Sequence, residues 1–117
     1  GNRKRERRNA QLALENAEWE RNDLEISLRA RLADLWQAYC NNLRLLSLER
    51  ENLTVARENH LIARERFLLG DLAGIEIREA QNSLLDAEER LLIAEYDTKV
   101  CEISLLQISG MITRYLE

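Results

Sequence analysis

The chain has 117 residues, a net charge of −4, 45% apolar and 32% charged residues, 5% aromatics and no proline. That length allows one small domain, and a balance rich in Leu, Ala, Glu and Arg belongs to long helices and coiled coils. Charges of both signs are interspersed, which excludes a field suited to nucleic acid, and no apolar run of about 18 residues exists to form a membrane-spanning helix.

The isolated Gly1 resembles the residue left when a tag is cut off, so the chain is expected to be an excised piece of a larger protein. A basic run, "RKRERR" at Arg3 to Arg8, comes next. Such a run could meet nucleic acid or anionic lipid. With no aromatic interleaved and the remainder of the chain acidic, a solvated helix terminus is the reading preferred. From Arg3 to Leu69 neither proline nor glycine occurs. Apolar residues recur at helical spacing through Leu28, Leu32, Leu35, Tyr39, Leu43 and Leu46. After a polar gap the stripe resumes at Leu53, Ala56, His60, Ala63 and Phe67. The pattern predicts a helix over about 3–69, roughly 100 Å long at 1.5 Å per residue, which needs a partner helix along its side.

Gly70 is placed to end that helix in the left-handed conformation, within a turn at 70–74. Asp71 can cap a second helix, and Glu76 and Glu79 fall in or near the first turn of that helix, where the dipole favours acids. The second helix is predicted over about 75–116. Ile77, Leu84, Leu91, Thr98, Leu105 and Ile112 recur every seven residues, and Ala80, Ala87, Ala94, Cys101, Ile108 and Tyr115 come three residues after each. A strict heptad implies a left-handed supercoil, and its row of small residues permits close approach of a neighbouring backbone. Leu85, Leu92 and Leu106 widen the stripe, and Ile93, Val100 and Ile103 add apolar surface elsewhere, so more than one face asks for cover. A short connection makes the helices antiparallel. The fold class expected is all-α, a long antiparallel helical hairpin.

In such a hairpin, facing positions have numbers summing to about 141 to 145, given a turn at 70–74. Cys40 and Cys101 meet that condition. Two small residues packed near one seam is the preferred reading, with a disulfide left open because its geometry is specific. His60 is the only histidine, so a multi-histidine metal site is excluded, and a seam residue is expected there. No Ser-His-Asp set and no glycine-rich phosphate loop ahead of a helix can be argued. The chain is expected to be no enzyme and to hold no cofactor or metal. On periodicity alone, a cytoplasmic coiled-coil scaffold or dimerisation module would satisfy the pattern.

The order of motifs is more specific. Phe67 stands three residues before Gly70, an Ala80-Gln81 pair lies about ten residues on, and a Leu84/Ala87/Leu91/Ala94 ladder leads to Leu105 and Gly110. This resembles the C-terminal periplasmic hairpin of the TolC family of outer-membrane efflux proteins, over nearly the whole chain. The resemblance implies a trimer in which helical hairpins form a barrel across the periplasm and strands, missing here, form a barrel in the outer membrane. The segment would lie in the periplasm of a channel exporting small molecules or proteins. Phe67, Leu69, Gly70, Asp71 and Leu72 would form the tip that docks a periplasmic adaptor protein, itself linked to an inner-membrane transporter. Glu76 and Glu79 would form rings of negative charge at the channel entrance. Two positions depart from the family: Leu72 stands where some relatives carry a basic latch residue, and Ala73 replaces the common Ser or Thr cap, leaving Asp71 as its substitute. Stripped of its strands, a fragment would be free to dimerise through its apolar stripes.

Overall fold

A computed structural model describes residues 1–116. Two α-helices account for nearly all of them: α1, Asn2–Leu68, and α2, Gly74–Leu116. They form an antiparallel hairpin, as the periodicity requires. The boundaries fall within a residue of those expected from the glycines.

The described chain divides into two compact units, residues 37–103 and residues 1–36 with 104–116. In the first, a row of buried and half-buried positions on α1 runs through Tyr39, Asn42, Leu46, Glu49, Leu53, Ala56, His60 and Ala63, with Ala38, Cys40 and Asn52 half-buried beside it. On α2 the row is Ile77, Ala80, Leu84, Ala87, Leu91, Ala94, Thr98 and Cys101, with Glu102 half-buried beside it. Both sets step by three and four alternately, the seam of a heptad coiled coil. Ala87 and Ala94 are 0% and 2% exposed, so their small side chains sit against the opposing helix with no room to spare.

The seam of α2 thus matches the sequence pattern, whereas that of α1 departs from it. Leu43 lies 42% exposed, and Asn42 takes the seam position in its place. The apparent polar gap after Leu46 is no gap, because Glu49 occupies it at 8% exposure. Both polar residues are tolerated because each finds a partner on α2. Asn42 Nδ2 donates to Cys101 Sγ at 3.1 Å and to the Asp97 carbonyl at 3.5 Å. Thr98 Oγ1 donates to the Ala94 carbonyl at 2.7 Å and lies 3.4 Å from the Asn42 carbonyl. Glu49 accepts from Arg90 Nε at 3.1 Å. Among the described residues no buried side-chain polar atom is left without a partner.

The second unit has an aliphatic core, Leu28, Ile108 and Ile112, with Leu32, Leu35 and Leu116 packed against it. Burying each such side chain contributes about 1.5–3 kcal/mol. Tyr115, an expected seam residue, is instead 53% exposed, and its ring lies 5.4 Å from the Arg114 guanidinium. Leu116 takes the place against the core. N-terminal to this cluster α1 runs on alone: every residue from Gly1 to Leu24 is exposed.

Candidate functional site: the hairpin tip and the outward rows

The turn is built by local backbone bonds. Gly70 has φ +78°, the left-handed conformation expected of it. Its N–H donates to the Phe67 carbonyl at 3.0 Å and the Asp71 N–H to the Arg66 carbonyl at 2.8 Å. These are the two bonds of a Schellman motif, which satisfies carbonyls left over at the end of α1. Where that motif often adds an apolar contact, here Arg66 and Asp71 form an ion pair at 3.3 Å. Arg66 also donates to the Asp71 carbonyl at 3.3 Å.

That arrangement corrects the expected role of Asp71. Its carboxylate turns back to α1 rather than capping α2. Ala73 holds the N-cap position, its carbonyl accepting from Glu76 N at 3.0 Å and Ile77 N at 3.2 Å, with no side-chain oxygen to bond the first amides. Arg66, four residues ahead of Gly70, outcompetes those amides because it offers a charged donor. Glu76 stands in the first turn of α2 and Glu79 one turn on, both exposed and neither in an ion pair. Their placement complements the positive end of the α2 dipole.

The tip presents apolar surface to solvent. Leu69 is 83% exposed, Leu68 72% and Ile75 67%, and Phe67, expected in the seam, is 44% exposed. Leu72 alone of the loop is half-buried. No atom lies within 4 Å of where a Cβ on Gly70 would stand, so what restricts this position is its backbone conformation and not crowding within the chain. Phe67, Leu69, Gly70, Asp71 and Leu72 therefore lie together at one end of the hairpin, with Glu76 a turn away.

A second feature is a row with no place in the expected seam. Leu48, Val55 and Ile62 of α1, with Leu69 just past its end, recur every seven residues and are all at least half exposed. Val55 of this row lines an open groove with Asn52 and Asn59 of α1 and Ser83 and Arg90 of α2. A strict seven-residue repeat of branched side chains is its signal in the sequence, masked by the stronger stripe beside it. On α2, Leu85, Leu92 and Leu106, expected to widen the stripe, lie outside the seam and are 62–66% exposed, and Ile93, Tyr96, Val100 and Ile103 add exposed apolar surface elsewhere on the helix. Each helix thus carries a seam and a further apolar row.

The two cysteines are free thiols, both half-buried. Cys101 lies in the seam against Asn42, while Cys40 is next to the seam residue Tyr39. His60 is a half-buried seam residue, as expected. Among the described residues no three His, Cys, Asp or Glu side chains gather as metal ligands, and no helix is long and apolar enough to cross a membrane. Compared with known proteins, the chain matches no family model, no curated protein and no solved structure.

Proposed function

We propose that this chain is a periplasmic hairpin of a TolC-like outer-membrane efflux or secretion channel, which assembles as a trimer and docks a periplasmic adaptor through its tip. The observation that carries the reading is the second apolar row on each helix. A solitary two-helix hairpin needs one stripe per helix, whereas a helix in the wall of a barrel needs one toward each of two neighbours. Leu48, Val55 and Ile62 on α1, continued by Leu69 in the turn, and Leu85, Leu92 and Leu106 on α2, supply the additional stripes.

The tip supports the same reading. Phe67, Leu68, Leu69 and Ile75 offer apolar surface around a glycine that lets a partner's backbone approach. The adaptor would bury these side chains and carry the link to an inner-membrane transporter. Repeated three times around an axis, Glu76 and Glu79 would make acidic rings at the entrance that favour cations. Opening would result from adaptor contacts that bind one arrangement of the tip better than another.

The test is crosslinking in the parent protein in intact cells. Cysteine is placed at Gly70 or Asp71, with Cys40 and Cys101 replaced by Ser, opposite a thiol-reactive adaptor hairpin. A specific adduct from the tip, absent when the cysteine is moved to exposed Arg44, is the expected result. A protein found in the cytosol that gives no adduct would leave a coiled-coil scaffold as the reading.

A further inference from the structure

Within residues 37–103 the seam is reflected about one position. Glu49 meets Arg90, and the Thr98 hydroxyl meets the Asn42 carbonyl at 3.4 Å. Halfway between 49 and 90 lies 69.5, and halfway between 42 and 98 lies 70. In that register Leu53 falls opposite Ala87, Ala56 opposite Leu84 and Ala63 opposite Ile77, so these layers set a large side chain against a small one. The next layer would set Phe67 against Ala73, and the one after it Gly70 against itself. The turn prevents both: Phe67 is 44% exposed, and Gly70 leaves α1 at φ +78°.

Only the turn makes these contacts internal to one chain. The sequence has no proline, so α1 and α2 can join as one helix if residues 69–73 take helical angles. The stripe Ala63, Phe67, Gly70, Ala73 and Ile77 then runs unbroken, in steps of four, three, three and four. Two consecutive steps of three make a stammer, which overwinds a coiled coil locally without interrupting it. A straight chain of this kind is its own antiparallel partner, because reflection about Gly70 returns the seam onto itself. Against it stand the two Schellman bonds and the Arg66–Asp71 pair, whose side chains are 51% and 75% exposed. Glycine at 70 and 74 also resists the helix.

We propose that this chain exchanges helices with a second copy: the turn straightens, and two continuous helices pack antiparallel about a two-fold axis at Gly70. The seam contacts of residues 37–103 are then remade between chains, Asn42 of one with Thr98 of the other and Glu49 with Arg90. The exchange adds a layer that the hairpin lacks, Phe67 of each copy against Ala73 of the other. Glycine at the crossing leaves the two backbones free to approach. A second copy is the occupant because the same sequence repeats these polar layers at the matching distances from Gly70. The interface is isologous and closes at two chains. The inference concerns the chain itself and does not rest on the channel reading.

The test uses the 117-residue chain carrying Cys40→Ser, Cys101→Ser, Glu51→Cys and Glu89→Cys, spin-labelled at positions 51 and 89. It is mixed in urea with an excess of unlabelled chain carrying only the two serine substitutions, then refolded. Both labelled positions are exposed, and they stand level with each other in the hairpin register. Pulsed electron paramagnetic resonance should read about 20 Å between them in the hairpin, two helix diameters. Along one straight helix the same positions, 38 residues apart, are separated by about 57 Å. Refolding at low concentration should give monomers with the short distance. Refolding at high concentration should add a dimer, resolved by sedimentation velocity, that shows the long distance. That dimer should persist on dilution, because reversal requires the seam to unfold. Gly70→Ala with Gly74→Ala strains the turn and favours the helix, so it should lower the concentration for half-dimerisation by roughly tenfold or more. A dimer that keeps the short distance overturns the proposal and would place the contact on the outward rows. A chain that stays monomeric after concentrated refolding overturns it as well.

Discussion

Glu49 gives the sharpest test of the seam, because opposite responses are expected from the two members of its ion pair. Its side chain is 10% exposed and accepts from Arg90 Nε at 3.1 Å, whereas the Arg90 side chain is 51% exposed. Breaking a fully buried pair costs about 3–5 kcal/mol and an exposed one about 0.2–1 kcal/mol. With one partner buried and the other half in water, Arg90→Ala should cost about 1–2 kcal/mol, most of it from leaving a desolvated carboxylate unpaired. Glu49→Leu removes that carboxylate and places an apolar side chain in an apolar seam, where burial contributes about 1.5–3 kcal/mol. After loss of the ion pair, a net gain of about 1 kcal/mol is expected. In the Glu49→Leu background Arg90→Ala should be nearly neutral, which makes the pair a double-mutant cycle. The assay is urea and thermal unfolding monitored by helix content, at one fixed protein concentration so that self-association does not enter. A gain of about 1 kcal/mol corresponds to a few degrees in Tm for a chain of this size. Glu49→Leu losing more than about 1 kcal/mol, or Arg90→Ala costing the same in both backgrounds, would refute the placement of Glu49 in the seam.

Other substitutions probe the seam, the turn and the stretch of α1 that runs on alone. Ala87→Leu forces bulk into a position with no exposed surface and should destabilise by about 1–3 kcal/mol in the same unfolding assay, while Leu85→Ala, on an exposed row, should change stability by less than about 0.5 kcal/mol. Gly70→Ala meets no neighbouring atom but must hold a side chain at positive φ, so a loss of about 1–2 kcal/mol is expected, with α-helix content retained. Leu28→Ala should cost about 2–4 kcal/mol because Leu28 packs on Ile108 and Ile112, whereas Leu14→Ala should leave the unfolding of the monomer unchanged, measured at dilution.

The residues also explain why one helix was easier to read than the other. On α2 every seam position but Thr98 and the terminal ones is apolar or small, so the heptad stands out in hydrophobicity. On α1 the seam passes through Asn42 and Glu49, whose burial depends on Thr98, Cys101 and Arg90, all far along the chain on α2. No local pattern announces such partners, and Leu43 offered an apolar substitute one residue along. The tip was legible where backbone geometry alone decides, as at Gly70. It was less so at Asp71, where a capping role and an ion pair with Arg66 compete for one carboxylate. Phe67 fits the seam period, yet it lies at the last turn of α1, where the chain is about to reverse and the seam runs out.

The closure of the tip within itself also fixes the order in which the hairpin is cheapest to assemble. The Schellman bonds and the Arg66–Asp71 pair join residues at most five apart, so they form without closing a long loop. Every later contact encloses more chain: Glu49 and Arg90 are separated by 41 positions, Asn42 and Thr98 by 56, and Leu28 and Ile112 by more still. Each doubling of an open loop adds about 0.6 kcal/mol of closure entropy, but a contact formed next to one already closed adds far less. Zippering outward from Gly70 is thus the route of lowest barrier. Strain at the turn should slow refolding, while a cavity at Leu28 should leave the refolding rate nearly unchanged and speed unfolding. The short turn from Leu69 to Ala73 would then act as a kinetic origin for two helices of 67 and 43 residues.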